Sequence, residues 1–572
     1  MSSSIESTPT NPTAPSDEVA SLQRLVREQQ ETIEAQQQTI QVLHQTIEKM
    51  ERQMKQQQER IEQLEAELRD LKKLKGKPKI KASRLNTAEP DSEGEGKRPG
   101  SAKVSKKLNF EIDEERIIQP EEFPAKAKFN GYRDYDVQEL ILKRHNIRFR
   151  LAEYVSEDGT TIVGQLPAEY RNGHYGPLLL GYVLYQHYQC RVPQTILHEQ
   201  LREWGIEIST GQLNNILTEN KETFHAEQQQ VLRVGLETAE YVHTDDTGAR
   251  HQGKNGYCTV IGNQWFSYFK SSSSKSRQNF LEVLQGEAVR YVLNDYAQQY
   301  LESQPLAAKY REQLTFSDAL LAEQTLTWQA YLLEKGIVSA KAIQMISEAA
   351  LLGGVMSGGI NAPLRILSDG AGQFNVLCHG LCWVHAERSL RKLQGDTVRQ
   401  RQNIAEMQDL LWQYYQELQA YQQQPTSEGK TELWQAFDQI FERDYLSHGS
   451  LNIVLKWFRN HKAELLRVLD YSQFPLHNNE AETDIREFVI RRKISGGTRS
   501  EAGQRARDTF VGLKKTCRKL GVSFWQYLLS RIRKDRQIPP LPDVIRAKAA
   551  ATLQVFAAIR NVFYGVPATS GF

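Results

Sequence analysis

The chain has 572 residues, enough for several domains, with 72 basic and 70 acidic side chains and a formal net charge of +2. That balance excludes a simple polycation, no apolar run approaches the ~18 residues a bilayer span needs, and five scattered cysteines exclude a disulfide framework. The hydrophobic deficit is local: 33 of the first 120 residues belong to the hydrophobic set, against 39% of the whole chain.

Residues 1–19 are rich in Ser, Thr and Pro and read as disordered. No basic segment followed by an apolar stretch stands at the start, so no secretory signal is expected and a cytoplasmic location is. Residues 20–74 read as a coiled coil. Val26, Ile33, Ile40, Ile47, Met54, Ile61 and Leu68 recur every seventh position. Leu22, Leu43, Met50, Leu64 and Leu71 fill the second seam position, interrupted by Gln29, Gln36 and Gln57. Such a stripe needs a partner, so a homo-oligomer through 20–74 is expected.

Residues 75–128 read as a linker. It opens within a basic run, Lys72–Arg84, with seven basic and no acidic residues. The run is either a solvated segment or a phosphate-binding arm. Residues 129–222 are expected to form a helical DNA-binding region. In it Pro193–Trp204, a break at Gly205, and a second helix capped by Ser209 make a helix-turn-helix pattern. Thr210, Gln212, Asn214 and Asn215 then fall where base-reading residues of such a helix lie.

From 223 to 530 the elements change. Tyr241–Gly248 reads as a strand ending at Asp245 and Asp246, followed by a hairpin and a helix carrying Phe280 and Leu284. A second apolar strand, Leu364–Ser368, runs into Asp369. A helix beginning near Asn478, with Asn residues able to cap it, carries Glu482. Two strand-end aspartates and a helical glutamate suit a two-metal phosphoryl-transfer site, because Mg²⁺ prefers carboxylate oxygens. This order of elements is that of an α/β ribonuclease H-like core with helical insertions, here about 286–362 and 395–475. Trp412, Tyr414, Tyr415, Trp434 and Trp457 in the second insertion read as core, with stacking on extruded bases as the rival. Asp295 and Asp318 in the first are rival second aspartates. Basic residues crowd after Glu482: from Arg486 to Lys519 there are eleven Lys or Arg against three Asp or Glu. Arg486, Arg491, Arg492, Lys493 and Arg499 are therefore candidate phosphate contacts. The cluster Cys378, His379, Cys382 and His385 lacks a CxxC and reads as packing rather than zinc ligation. Residues 531–572 read as a C-terminal tail with an Ala-rich helix.

These motifs, in this order, resemble the transposases of the insertion sequence 66 family. The resemblance rests on Tyr175-Gly-Pro-Leu, His243-Thr-Asp-Asp-Thr, Cys382-Trp-Val-His-Ala-Glu-Arg388, Asn479-Glu-Ala-Glu482 with Arg492-Lys493, and Phe524-Trp-Gln-Tyr-Leu. It implies a DDE enzyme with Asp245, Asp369 and Glu482 as catalytic metal ligands for two Mg²⁺ ions, Mn²⁺ being the alternative. It also implies strand cleavage and strand transfer on terminal inverted repeats and target DNA. Accessory proteins of the same element and a bacterial, nucleoid-associated location come with it. Asp246 stands where the family usually has Glu, and since neighbours on a strand face opposite ways only one of the pair is central. The family's cysteine zinc module is not visible. Arg388 is read as a packing or phosphate-contact residue and His385 as core, with support of the acidic site as the other reading. The alternatives in function are an inactive DNA-binding oligomer or repressor, and a structure-specific nuclease using the same site.

Overall fold

The computed structural model describes residues 111–119, 128–130, 132–171, 173–361, 364–446 and 448–564, with three isolated helical, exposed positions, Arg27, Gln30 and Gln37. The disordered segment expected at 1–19, the heptad seam of 20–74 and the basic run after it lie outside the described residues. The chain divides into two compact units, Met1–Gln138 and Glu139–Phe572. In the first, the described residues from 111 onward carry neither helix nor strand and are exposed.

The second unit does not begin as helix. Residues 139–152 have no regular structure, and a small hairpin follows, β1 (Glu153–Val155) with β2 (Thr161–Val163). Apart from a short 3-10 turn at Ala168–Tyr170, the helical region expected from 129 starts at α1 (Pro177–Leu184), where Pro177 occupies the first helical turn. α1 runs into a π-helical turn, Tyr185–Gln189. Next come α2 (Gln194–Glu203) and α3 (Thr210–Thr218), the two helices of the expected helix-turn-helix. Gly205, at φ +74°, makes the turn that only glycine adopts at no cost. Ser209 and Gln212 form a reciprocal capping box at the start of α3. Leu197, Leu201, Ile208, Leu213 and Leu217 bury the inner faces.

α4 (Glu222–Thr238) leads into a five-stranded mixed sheet of order β5-β4-β3-β8-β9. Its strands are β3 (Tyr241–His251), β4 (Lys254–Gly262), β5 (Ser267–Ser272), β8 (Arg365–Ser368) and β9 (Cys378–Leu381). β3, β4 and β5 pair antiparallel, while β3–β8 and β8–β9 pair parallel. β3 is longer than its sequence suggests. It continues to His251 because Gln252 and Gly253, both at positive φ, close a tight two-residue hairpin onto β4. Asp245 and Asp246 therefore lie within a strand, not at its end.

Between β5 and β8 stand α5 (Arg277–Gln285) and the first insertion. That insertion is mostly helical: α6 (Asp295–Glu302), α7 (Ala308–Arg311), α8 (Thr325–Glu334) and α9 (Ala340–Ser357), plus a two-stranded sheet of β6 (Tyr291–Val292) and β7 (Leu320–Ala322). After β9 comes α10 (Trp383–Arg391). The second insertion follows as α11 (Val398–Gln423), α12 (Ser427–Phe441), α13 (Gly449–Asn460), α14 (Lys462–Leu465) and α15 (Arg467–Asp470). It has its own core, in which Trp383, Tyr414, Phe437, Phe441 and Phe458 pack together. Tyr414 and Tyr415 are core as expected, whereas Trp412 and Trp434 keep 37% and 40% exposure.

The chain closes with α16 (Asn479–Ser495), α17 (Glu501–Leu520), α18 (Phe524–Arg533) and α19 (Leu541–Tyr564). α19 is no loose tail: Leu541 and Ile545 are fully buried in the main core. The two faces of the sheet bury different partners. Val242, Ile261 and Ile366 join the core shared with α4, α5 and α9. Cys258, Val260 and Phe269, alternating with these, pack against Ala481, Ile485 and Phe488 of α16.

Candidate active site

The site begins with strand register. β3 and β8 pair as Tyr241↔Arg365, Val242↔Ile366 and His243↔Leu367, an offset of 124. The same offset carries Asp245 to Asp369, one residue beyond the end of β8. The two aspartates thus stand at one level on neighbouring parallel strands. Gly370, at φ +96°, turns the chain away, and Asp369 Oδ1 accepts from Ala371 N at 3.0 Å. Asp245 lies opposite Val260, which faces α16, so its side chain shares that face.

Burial, reinforced by the charges of Asp369, Asp246 and Glu482, pushes the Asp245 carboxyl up from 3.8 to about 7. The Asp246 N–H, donated to Asp245 Oδ1 at 2.7 Å, opposes the rise. Glu482 and Asp246 have cationic partners, Arg388 and Lys275, whereas a partly buried Asp245 whose charge its neighbours disfavour suits an ion-binding role.

Glu482 comes from the first turn of α16. The Asn residues before it do not cap that helix. Asn478 instead donates from Nδ2 to the carbonyl of Thr244 at 2.9 Å, and its N–H points to Cys382 Sγ at 3.1 Å. The start of α16 is thereby fixed to the strand residue preceding Asp245. Glu482 Oε1 accepts from Arg388 Nη2 at 3.0 Å. Arg388 Nη1 also meets His385 Nε2 at 2.8 Å. Burial first, and Arg388 second, lower the His385 pKa, so its neutral Nε2 accepts from Arg388. Its 3.3 Å approach to Glu482 Oε1 is then a contact, not an ion pair. His385 is therefore part of the acidic site rather than core, and Arg388 binds the glutamate directly. With Glu482 held in this way, no three His, Cys, Asp or Glu side chains among the described residues stand close enough to hold a metal.

Asp246 points to the opposite face. Its carboxylate takes Gln373 Nε2 at 2.6 Å and Lys275 Nζ at 3.4 Å. Gln373 sits on the turn after Asp369, and that turn is anchored by Arg277, which donates to the Gly372 carbonyl at 2.8 Å. Arg277 also reaches Tyr300 and Glu348 of the first insertion, so the insertion braces this side of the site. Neither Gln373 nor Arg277 carries a sequence signal. Asp295 and Asp318 are exposed on the insertion, Asp295 serving in the first turn of α6. His379, from the cysteine–histidine cluster, is buried between Ser368 Oγ and Glu464.

The candidate nucleic-acid contacts divide. Arg486, Lys493 and Arg499 are exposed. Arg492 is exposed and donates to the Gly248 carbonyl of β3. Arg491, expected at the surface, is buried: it pairs with Glu487 and donates to the carbonyls of His187 and Tyr188. On α3, Gln212 Oε1 accepts from Ser209 N and from the Tyr175 hydroxyl, so it is engaged in holding the helix start. Asn214 is half-buried beside Thr218, while Thr210 and Asn215 are exposed.

Two comparisons with known proteins bear on this arrangement. The model of the family described as "Transposase IS66 family" matches residues 172–307 and 364–506. The matched spans contain α2, α3, Asp245, Asp369 and Glu482. Residues 308–363 of the first insertion fall between them, whereas the second insertion lies inside the later span. The uncharacterized protein y4jO of Sinorhizobium fredii is 41% identical over 328 residues, covering 56% of this chain and 100% of the relative.

Proposed function

Because the chain belongs to the IS66 family of transposases, we propose that it cleaves and joins DNA at the ends of its own mobile element. The central mixed sheet would be a ribonuclease H-like core, with Asp245, Asp369 and Glu482 as its acidic triad. The observation that carries this reading is that the β3–β8 offset of 124 sets Asp369, just past the end of β8, level with Asp245 on β3, with Glu482 adding to the charge that raises Asp245.

The donor chemistry, three carboxylates, is that of divalent ions of the Mg²⁺ or Mn²⁺ kind, and burial, reinforced by the neighbouring carboxylates, drives Asp245 towards protonation in the metal-free protein. When bound, such ions would activate a water and stabilise charge on the attacking and leaving oxygens of a phosphodiester. The chain's own residues position the reaction. Asp245 is fixed by strand pairing, Asp369 by the turn that closes β8, and Asn478 ties the helix of Glu482 to Thr244. Arg388 neutralises Glu482 in the free protein, and Glu482 must leave it to complete the triad. Gln373 and Lys275 hold Asp246 on the other face, which supports Asp245 as the central aspartate. No protein nucleophile is needed, so catalysis consists of positioning and charge neutralisation. DNA would be held by the basic surface after Glu482 and by α3, with assembly through residues 20–74.

The test is nicking and strand joining of DNA carrying the element's ends by the purified full chain with Mg²⁺. Asp245→Asn, Asp369→Asn and Glu482→Gln should each abolish cleavage while leaving DNA binding intact. Nicking without joining would point to a nuclease, and binding without nicking to a repressor.

A further inference from the structure

A cleft of roughly 580 Å³ opens between the π-helical turn after α1, α16 and α17. Five basic side chains line it, Arg191, Arg486, Lys514, Lys515 and Arg518, against a single carboxylate, Glu487. Glu487 has no capacity left to balance them. Its oxygens already take Arg191 at 2.7 and 3.0 Å, Lys514 at 2.6 Å and Arg491 at 3.3 Å. Lys515 meets the Thr483 carbonyl at 3.1 Å and Asp484 at 3.4 Å. The guanidiniums of Arg486 and Arg518 are exposed and have no partner among the described residues.

Two unpaired guanidiniums lining one cleft call for an anion whose oxygens accept in pairs, and phosphate matches the guanidinium fork. Ile490, Val522 and Phe524 add an apolar part to the lining, which suits the face of a sugar rather than a second charge. The position is equally telling. Arg486 lies one helical turn beyond Glu482 on α16, and Gln189 and Arg191 stand on the connection that enters α2. The cleft is thus lined both from the connection into α2 and from the helix that carries Glu482.

We propose that this cleft is a track for the sugar–phosphate backbone of DNA, with Arg486 and Arg518 contacting phosphates directly. Arg191 and Lys514, locked by Glu487, form its rigid wall and join the helical region to the helix of Glu482. The proposal rests on the transposase reading and extends it to Arg191, Lys514, Lys515 and Arg518.

The test uses the full chain and a short DNA duplex of arbitrary sequence, with affinity measured across a salt series. Each phosphate contact contributes about 0.9 to the slope of log affinity against log salt. Arg486→Ala/Arg518→Ala should therefore flatten the slope by about 2 and weaken binding at low salt, while Lys309→Ala/Lys341→Ala, two exposed lysines on the first insertion, should change neither. Both arginines are exposed and unpaired, so the double variant should keep the wild-type circular dichroism spectrum. An unchanged slope in the arginine double variant, with wild-type binding intact, overturns the track and leaves the transposase reading standing. Failure of the wild-type chain to bind the duplex overturns both.

Discussion

Replacing Asp245 by Asn should stabilise the metal-free protein, and by an amount that grows with pH. The Asp245 carboxyl titrates near 7 in the fold against an ordinary 3.8, chiefly because it is buried and secondarily because Asp369, Asp246 and Glu482 repel its charge. A raised folded pKa means that ionisation is disfavoured in the native state. The cost is small below 3.8, grows through the interval, and levels off above about 7. Linkage for a single group puts it at about 0.5 kcal/mol at pH 4 and about 4 kcal/mol at pH 8, and partial solvent access reduces the latter to about 2 kcal/mol. Asn keeps an oxygen to accept the Asp246 N–H and removes the charge. Urea unfolding of the wild-type and Asp245→Asn proteins in chelator at the two pH values measures the difference. The expected result is near-equal stability at pH 4 and a more stable variant at pH 8. A gain over wild type no larger at pH 8 than at pH 4 would refute the argument that burial and the neighbouring carboxylates disfavour the Asp245 charge.

Asn478→Ala removes the buried bond to the Thr244 carbonyl and leaves that acceptor unpaired; it should cost about 1–3 kcal/mol and slow cleavage more than it weakens DNA binding, as read by single-turnover nicking. Glu487→Gln strips the countercharge from buried Arg491 and Lys514 and should cost about 3–5 kcal/mol in denaturant unfolding. Burial alone would raise Glu487, but Arg191, Lys514 and Arg491 hold it at about 2, so its contribution is complete above 4.5 and fades as pH falls towards 2. Gly235→Ala would bring a Cβ within 2.6 Å of the ring of Phe266, itself fully buried, and should cost about 1–3 kcal/mol by overpacking.

Much of the acidic site was legible because its residues sit in short motifs with strong local signals. An apolar strand running into Asp369, and an Asn-rich helix start before Glu482, are patterns of a few residues. The spacing of 124 between Asp245 and Asp369 equals the strand offset, but it has meaning only once β3 and β8 are known to pair. The rest depends on contacts between distant positions. Gln373 reaches Asp246 across 127 residues, and Asn478 reaches Thr244 across 234. Arg491 looked like a surface cation because charge density in sequence does not show which face of α16 is covered; its burial follows from Glu487 and the carbonyls of the π-helical turn. The length of β3 was underestimated because its Gln252-Gly253 turn lacks the usual Asn-Gly or Asp-Gly signal. The helical expectation for 129–176 failed: the described residues there form the β1–β2 hairpin and one short 3-10 turn, Ala168–Tyr170.

The most direct test of the catalytic reading is Mg²⁺-dependent nicking by Asp369→Asn beside wild type, on DNA bearing the element's ends, with binding to the same DNA measured in parallel. The transposase account predicts nicking by wild type only, with equal DNA binding by both. Cleavage by Asp369→Asn at the wild-type rate would contradict it, since the aspartate set in register with Asp245 would then have no part in the chemistry.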